Sequence, residues 1–326
     1  MAKTKIEFVC RECGSSHHQW AGQCLDCKAW NTLEEVVISQ ATSSKPESLK
    51  DLPASKVQNL SEVKSQNKDR LSTGLTELDR TLGGGLVDGS VVLIGGDPGI
   101  GKSTLILQAL AAVNASNTTL YVSGEESAEQ VSERAIRLGI KEDILFIGET
   151  HLEKIIKLSK DVQPKVIVID SIQTMVTDVS TSAPGSVTQV RDCAAQLTQY
   201  AKQTNTILLM IGHVTKGGAL AGPRILEHMV DAVLYFEGDP GGRYRIIRAV
   251  KNRFGAVNEI SVFAMGEKGL QQVSNPSSIF LSNQENPSSG SMVMVTREAT
   301  RPLLVEIQAL VDQANGTPKR VSVGLD

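Results

Sequence analysis

The sequence predicts an α/β fold, a mostly parallel central sheet with helices on both faces, carrying a small cysteine-rich unit before it. Two observations predict the sheet. Apolar runs such as VVLIGG (91–96), VIVID (166–170) and TILLMIG (206–212) are continuous rather than alternating, as strands buried on both faces must be. Helical patterns separate these runs through the middle of the chain, the order expected of parallel strands joined by crossovers. A third observation, the pairs Cys10–Cys13 and Cys24–Cys27, sets the first thirty-five residues apart.

The elements follow in order. Residues 1–35 form the four-cysteine unit. Residues 36–69 are rich in Ser, Lys, Gln and Asn with two prolines, a composition that buries little and reads as a linker. Residues 70–273 hold strand candidates at 91–96, 119–124, 144–148, 166–170, 206–212, 232–238, 244–250 and 259–265. The last three are closely spaced and read as antiparallel members at one side of the sheet. Residues 274–290 are a second polar linker, and 291–326 open another β-containing unit.

Bulk composition narrows the function classes. With 326 residues, 40% hydrophobic and 21% charged, the chain suits an ordinary globular protein of two or three domains. Net charge is −3, so any nucleic acid must be met by local basic loops and not by a global field. No segment reads as a signal peptide or a membrane span, and four clustered cysteines indicate a reducing compartment; a cytoplasmic location with no membrane partner is the expectation.

GGDPGIGKST joins the strand 91–94 to a helical run and matches the phosphate-loop pattern at Gly96, Gly101, Lys102 and Ser103. The backbone of Gly95, Gly96, Asp97, Pro98, Gly99, Ile100 and Gly101 can curl so that successive N–H groups face phosphates, aided by the following helix N-terminus. Lys102 then reaches the β- and γ-phosphates, Ser103 binds Mg²⁺, and Thr104 completes the loop. Asp170 ends the strand VIVID, where a carboxylate holds the magnesium through water; the competing role is a helix cap. Ser171 follows it, so the residue that deprotonates water must come from another strand end. Glu125 in YVSGEES is the first candidate and Glu126 the second, against a role for both in meeting a helix dipole. His213, after a further strand, stands where a polar side chain would sense the γ-phosphate, and is equally compatible with a satisfied core histidine.

Two CxxC knuckles ten residues apart suit one structural Zn²⁺ in a closed shell of Cys10, Cys13, Cys24 and Cys27. His17 and His18 are spare donors. Trp20 and Trp30, the only tryptophans, are expected to pack over this unit. Cys193 shares helical spacing with Leu197 and Tyr200 and reads as a core thiol. From Arg243 to Arg253 the chain carries five cations and no acid. Within KNRFG, Lys251 and Arg253 lie two apart on a strand and project to one side, Phe254 anchors the turn and Gly255 lets it bend. The loops 173–189 and 215–228 follow Asp170 and His213, and the second carries Lys216, Arg224 and several glycines.

The stretch 71–104, LSTGLTELDRTLGGGLVDGSVVLIGGDPGIGKST, resembles the entry to a RecA-type ATPase core. The order phosphate loop, Glu125, Asp170, His213 is that of this superfamily. Combined with the four-cysteine unit and Lys251-Asn252-Arg253-Phe254-Gly255, the chain resembles the bacterial RadA (Sms) DNA repair family over essentially its whole length. The resemblance implies an ATP-hydrolysing ring, hexameric in the family, that binds single-stranded and branched DNA, drives branch migration and assists a recombinase; DNA contacts are then expected from the loops 173–189 and 215–228, with Lys216 and Arg224 in the second. It also implies a Lon-protease-like C-terminal domain, of which residues from about 291 would be the start, with no Ser–Lys protease pair expected. Cores of this type meet head to tail. Lys251 and Arg253 are then expected to reach the γ-phosphate of the adjacent subunit, with DNA phosphate as the rival anion.

Overall fold

The computed structural model describes residues 5–10, 12, 15–38, 70–213, 223–238, 241–281, 289–313, 317 and 319–323. It divides into two units, 1–274 and 275–326.

The amino-terminal part is a three-stranded antiparallel sheet of β1 (Lys5–Cys10), β2 (Ser16–His17) and β3 (Leu33–Ile38), ordered β2-β1-β3. Among the described residues, Cys10, Cys24 and Leu33 are buried there, with Phe8 and Ala21 against them.

The large sheet contains β4 (Val91–Gly95), β5 (Thr119–Ser123), β6 (Leu145–Gly148), β7 (Val166–Asp170), β8 (Ile207–Ile211), β9 (Ala232–Glu237), β10 (Tyr244–Asn252), β11 (Ile260–Gly266) and β12 (Gly269–Gln272). Their spatial order is β12-β11-β10-β9-β4-β8-β7-β5-β6, parallel from β9 to β6 and antiparallel from β9 to β12. The antiparallel hairpins at one side are those the close spacing predicts.

Successive residues of the central strands feed opposite cores, the two-residue alternation of an extended chain. Val92, Ile94, Tyr121, Val168 and Leu209 join one apolar cluster, with Leu105, Leu110 and Val131 from the helices α2 (Lys102–Asn114) and α3 (Ala128–Leu138). Val91, Leu93, Val122, Ile169 and Met210 join the other, with Ile155, Leu197 and Tyr200 from α4 (Leu152–Val162) and α5 (Val187–Thr204). Both faces are therefore dry, which is why the strand sequences carry no polar alternation. Cys193 lies fully buried in the second cluster, and burial pushes its thiol up to about 12.

A short helix α1 (Thr76–Leu82) precedes β4 and ends on Gly83 in the left-handed conformation. A four-residue turn of helix, α6 (Pro223–Leu226), precedes β9. The second unit contains the antiparallel hairpin β13 (Ser291–Glu298) and β14 (Arg301–Gln308), joined in full register from Ser291↔Gln308 to Glu298↔Arg301. Among the described residues, no helix is long and apolar enough to cross a membrane.

Candidate nucleotide and metal sites

The phosphate loop runs from Gly95 at the end of β4 to the first turn of α2. Its glycines answer geometric demands. Gly96 has φ 148°, and a Cβ there would lie 2.8 Å from the Phe236 side chain; Gly101, at φ 112°, is the left-handed N-cap of α2. The chain curls around Lys102, whose Nζ donates to the carbonyls of Gly96 at 2.8 Å and Asp97 at 2.9 Å. Ser103 and Thr104 follow at the half-buried start of α2.

Burial lowers the Lys102 ammonium to about 8, against the opposing pull of Asp170, Asp97 and Glu125. The sign is definite. A polyphosphate favours the protonated amine, so nucleotide affinity is full below about pH 8 and falls above it, by at most tenfold per unit. Titration of a fluorescent ATP analogue from pH 6.5 to 9.5 checks this; a flat profile would contradict it.

Sheet register explains how the other groups meet. Ser123 of β5 pairs with Asp170 of β7, which pairs with Ile211 of β8, so three strands end on one line. Glu125, Ser171 and His213 lie one or two residues beyond that line. The Ser171 hydroxyl donates to Glu125 Oε1 at 2.5 Å, and His213 Nε2 lies 3.5 Å from the same oxygen without a hydrogen bond. The side chain of Gln173 donates to the His213 carbonyl at 3.2 Å.

Asp170 is 5% exposed and accepts from the hydroxyl of Tyr121. Burial, followed by the Asp170 carboxylate, raises the Tyr121 hydroxyl well above its usual range, so it stays a donor and fixes one carboxylate oxygen. Glu126 is committed elsewhere: both its oxygens accept from the guanidinium of Arg134 on α3. Glu125, by contrast, meets Ser171 and His213 and acts electrostatically on Lys102.

Another contributor was invisible in the sequence. Arg245 of β10, 2% exposed, donates Nε to the Ile100 carbonyl at 2.9 Å and so braces the phosphate loop from a strand 145 residues away.

The motif 251–255 sits at the other end of the sheet. β10 runs antiparallel to β9, with Asn252 paired to Ala232, and Ala232 pairs to Val92 near the start of β4. The phosphate loop leaves the opposite end of β4, about 13 Å of strand away. The cationic run is also less naked than its sequence. Arg248 pairs with Glu237 at 2.9 Å, and Arg253 with Asp231 at 3.2 Å, both acids being on or beside β9. Lys251 donates to the Glu227 carbonyl at 2.6 Å, and burial followed by Arg253 lowers its ammonium. Asn252 ties the turn, its amide donating to the Thr81 carbonyl at 3.0 Å and its oxygen accepting from Phe254 N at 2.8 Å. The Phe254 carbonyl accepts from Arg70 at 2.8 Å. Gly255 does not adopt a left-handed bend. Its smallness is required by close approach, since a Cβ there would lie 2.7 Å from Gly83 Cα.

In the amino-terminal unit the thiols of Cys10, Cys24 and Cys27 converge, with Cys10 and Cys27 sulfurs 3.6 Å apart. Four sulfurs at 2.3 Å from zinc define edges of about 3.8 Å, so these donors fit Zn²⁺. Cys13 lies outside the described residues. The Ser15 hydroxyl, then the Cys27 amide, lower the Cys24 thiol to about 5. His17 Nε2 lies 3.5 Å from Cys24 Sγ and 3.6 Å from Asp26. Trp20 and Trp30 depart from expectation: they are 60% and 70% exposed, while Cys10, Cys24 and Leu33 are buried among the described residues. A structural zinc held by these thiolates contributes its binding free energy to the folding of the unit. Chelation should erase amide-exchange protection at Phe8 and Cys10 while that of β4, β7 and β8 persists. Protection retained in β1 would count against a structural metal.

Of the expected DNA residues, Lys216 lies outside the described residues, as does the side chain of Arg224; the Arg224 backbone falls in α6. The loop after Asp170 is tethered to α4, where Glu153 accepts from Thr177 Oγ1 at 2.6 Å and Asp178 N at 3.1 Å.

A family model described as an AAA domain matches residues 58–219, and one described as a rubredoxin metal binding domain matches residues 8–35. The DNA repair protein RadA of Pseudomonas aeruginosa is 56% identical over 328 residues, covering 100% of this chain and 72% of the relative. The chain belongs to the RadA family of DNA repair proteins. The Escherichia coli RadA is 52% identical over 335 residues, and that of Bacillus subtilis 48% over 331, each spanning 100% of this chain. These RadA relatives extend beyond it, as it covers 73% and 72% of their lengths. The crystal structure of the RadB recombinase matches 63% of this chain and 100% of its own, with TM-score 0.50 and 21% identity, which places the RadA core among RecA-like folds. An AAA domain implies use of a nucleotide with Mg²⁺, and the thiol cluster with its family match supports Zn²⁺.

Proposed function

We propose that this RadA-family chain is a DNA-dependent ATPase that assembles head to tail into a ring, binds single-stranded DNA and drives branch migration of recombination intermediates. Lys102 and the loop 95–104 hold ATP, Ser103 and Asp170 hold Mg²⁺, and Glu125 takes the proton of the attacking water, oriented by Ser171 and His213. Lys251 and Arg253 supply cations to the γ-phosphate of the neighbouring subunit. The observation that carries this reading is the separation of the 251–255 cations from their own phosphate loop by the length of β4, with Asp231 bonded to the first residue of that strand. From there they can meet a triphosphate only across an interface. DNA contact is left to loops beyond β7 and β8, on the phosphate-loop side.

The test is the ATP hydrolysis rate with and without single-stranded DNA, with Lys251→Ala beside it. A motor accelerates on DNA and loses that acceleration with Lys251. A rate indifferent to DNA would favour the second reading, a nucleotide switch that recruits proteins, for which the exposed Trp20, Leu25 and Trp30 offer an apolar surface.

A further inference from the structure

Asp231, the counter-ion of Arg253, is a buried acid with further partners. It is 3% exposed, and its carboxylate serves three donors: Oδ2 accepts Val91 N at 3.0 Å and the ammonium of Lys202, and Oδ1 accepts Arg253 at 3.2 Å. Its main chain grips the same neighbours, donating to the Val91 carbonyl at 2.9 Å and accepting from Arg253 N at 3.0 Å. Arg253 is thus held at both backbone and side chain by one residue that is itself locked to β4.

We infer that Asp231 is the positioning residue for Arg253, holding the guanidinium at the subunit surface in the orientation that meets the neighbour's γ-phosphate. The inference rests on the proposed action of Arg253 across the interface. Three properties fit the role. The Arg253 side chain is 59% exposed while its anchor is 4% exposed, so one edge of the guanidinium is fixed and the rest remains open to an incoming anion. Lys202, at the last turn of α5 and 46% exposed, shares the carboxylate and so weakens its hold on Arg253, which must exchange Asp231 for phosphate in the transition state. Lys202, Lys251 and Arg253 gather around two acids, Asp231 and Glu227, which leaves one positive charge in excess at this edge. A carboxylate so placed changes the geometry of a catalytic cation without touching substrate.

The test is subunit mixing with Asp231→Asn. Alone, D231N is expected to lower kcat by about 10²-fold, the cost of a finger misplaced by roughly an ångström, with nucleotide KM unchanged. Mixed with Lys102→Ala subunits, which keep an intact Arg253, it should regain hydrolysis. Mixed with Arg253→Ala subunits, which share its defect, it should not. The opposite pattern, rescue by R253A and none by K102A, would mean that Asp231 acts on its own phosphate loop through Val91 and β4, and would overturn the inference. So would a D231N kcat equal to that of the unaltered protein. R253A mixed with K102A is the control: absence of recovery there refutes trans action itself, separately from the role of Asp231. Should D231N fail to fold, Lys202→Gln at a half-exposed position probes the same carboxylate. It leaves Arg253 held by Asp231 alone and is expected to lower kcat with the same mixing pattern; an unchanged kcat would overturn the inference.

Discussion

Arg253→Ala lowers kcat for ATP hydrolysis by about 10³-fold or more, while equilibrium binding of ATP changes little. A cation that meets charge only as the phosphoryl group transfers contributes to the transition state and not to the ground state, so kcat falls and nucleotide affinity does not. A loss of about 10³ corresponds to roughly 4 kcal/mol of transition-state stabilisation. Lysine at the same position recovers little, since a point charge cannot reproduce a planar fork that is held at one edge by Asp231. Steady-state kinetics with a parallel binding titration check both halves. The folded state should survive the change, because the Arg253 side chain is 59% exposed and its backbone bond to Asp231 does not depend on the side chain.

Glu125→Gln produces the second large loss, about 10²- to 10⁴-fold in kcat with ATP binding kept or tightened. The amide preserves shape and can still accept from Ser171, yet it cannot take a proton. Glu126→Gln has a different consequence. It weakens the paired contact with Arg134 and should act on stability, with hydrolysis in the folded protein reduced far less. Equal losses from the two substitutions would contradict the assignment of the base.

The two acids also show what sequence can and cannot decide. Adjacent in the chain, they are chemically identical. Their surroundings separate because Arg134 on α3 occupies one, while the in-register ends of β5, β7 and β8 bring Ser171 and His213 to the other. The phosphate loop and the thiol knuckles were legible because their chemistry depends on local spacing, which a sequence displays directly. The fold was legible for a related reason: strands buried on both faces write continuous apolar runs.

What escaped are groups whose meaning comes from distant partners. Tyr121 reads as one more apolar strand residue until β5 lies beside β7 and its hydroxyl meets Asp170. Arg245 is one of five cations in the run 243–253 until burial sets it against Ile100. That row seemed to lack any acid because its counter-ions, Glu237 and Asp231, stand across the antiparallel pairing of β9 and β10, 11 and 22 residues from the cations they neutralise. Charge counted along a strand is a poor guide to charge across a sheet. Trp20 and Trp30 failed for the reverse reason. Large aromatic groups ordinarily find cover, but a metal-held unit can fold without burying them.

The most direct measurement of the central claim is the structure of the assembled protein with a non-hydrolysable ATP analogue and Mg²⁺ bound. The account predicts the Arg253 guanidinium within hydrogen-bonding distance of the γ-phosphate held by the adjacent subunit's Lys102, with Lys251 beside it. An assembly in which both cations face bulk water, remote from every triphosphate, would contradict it.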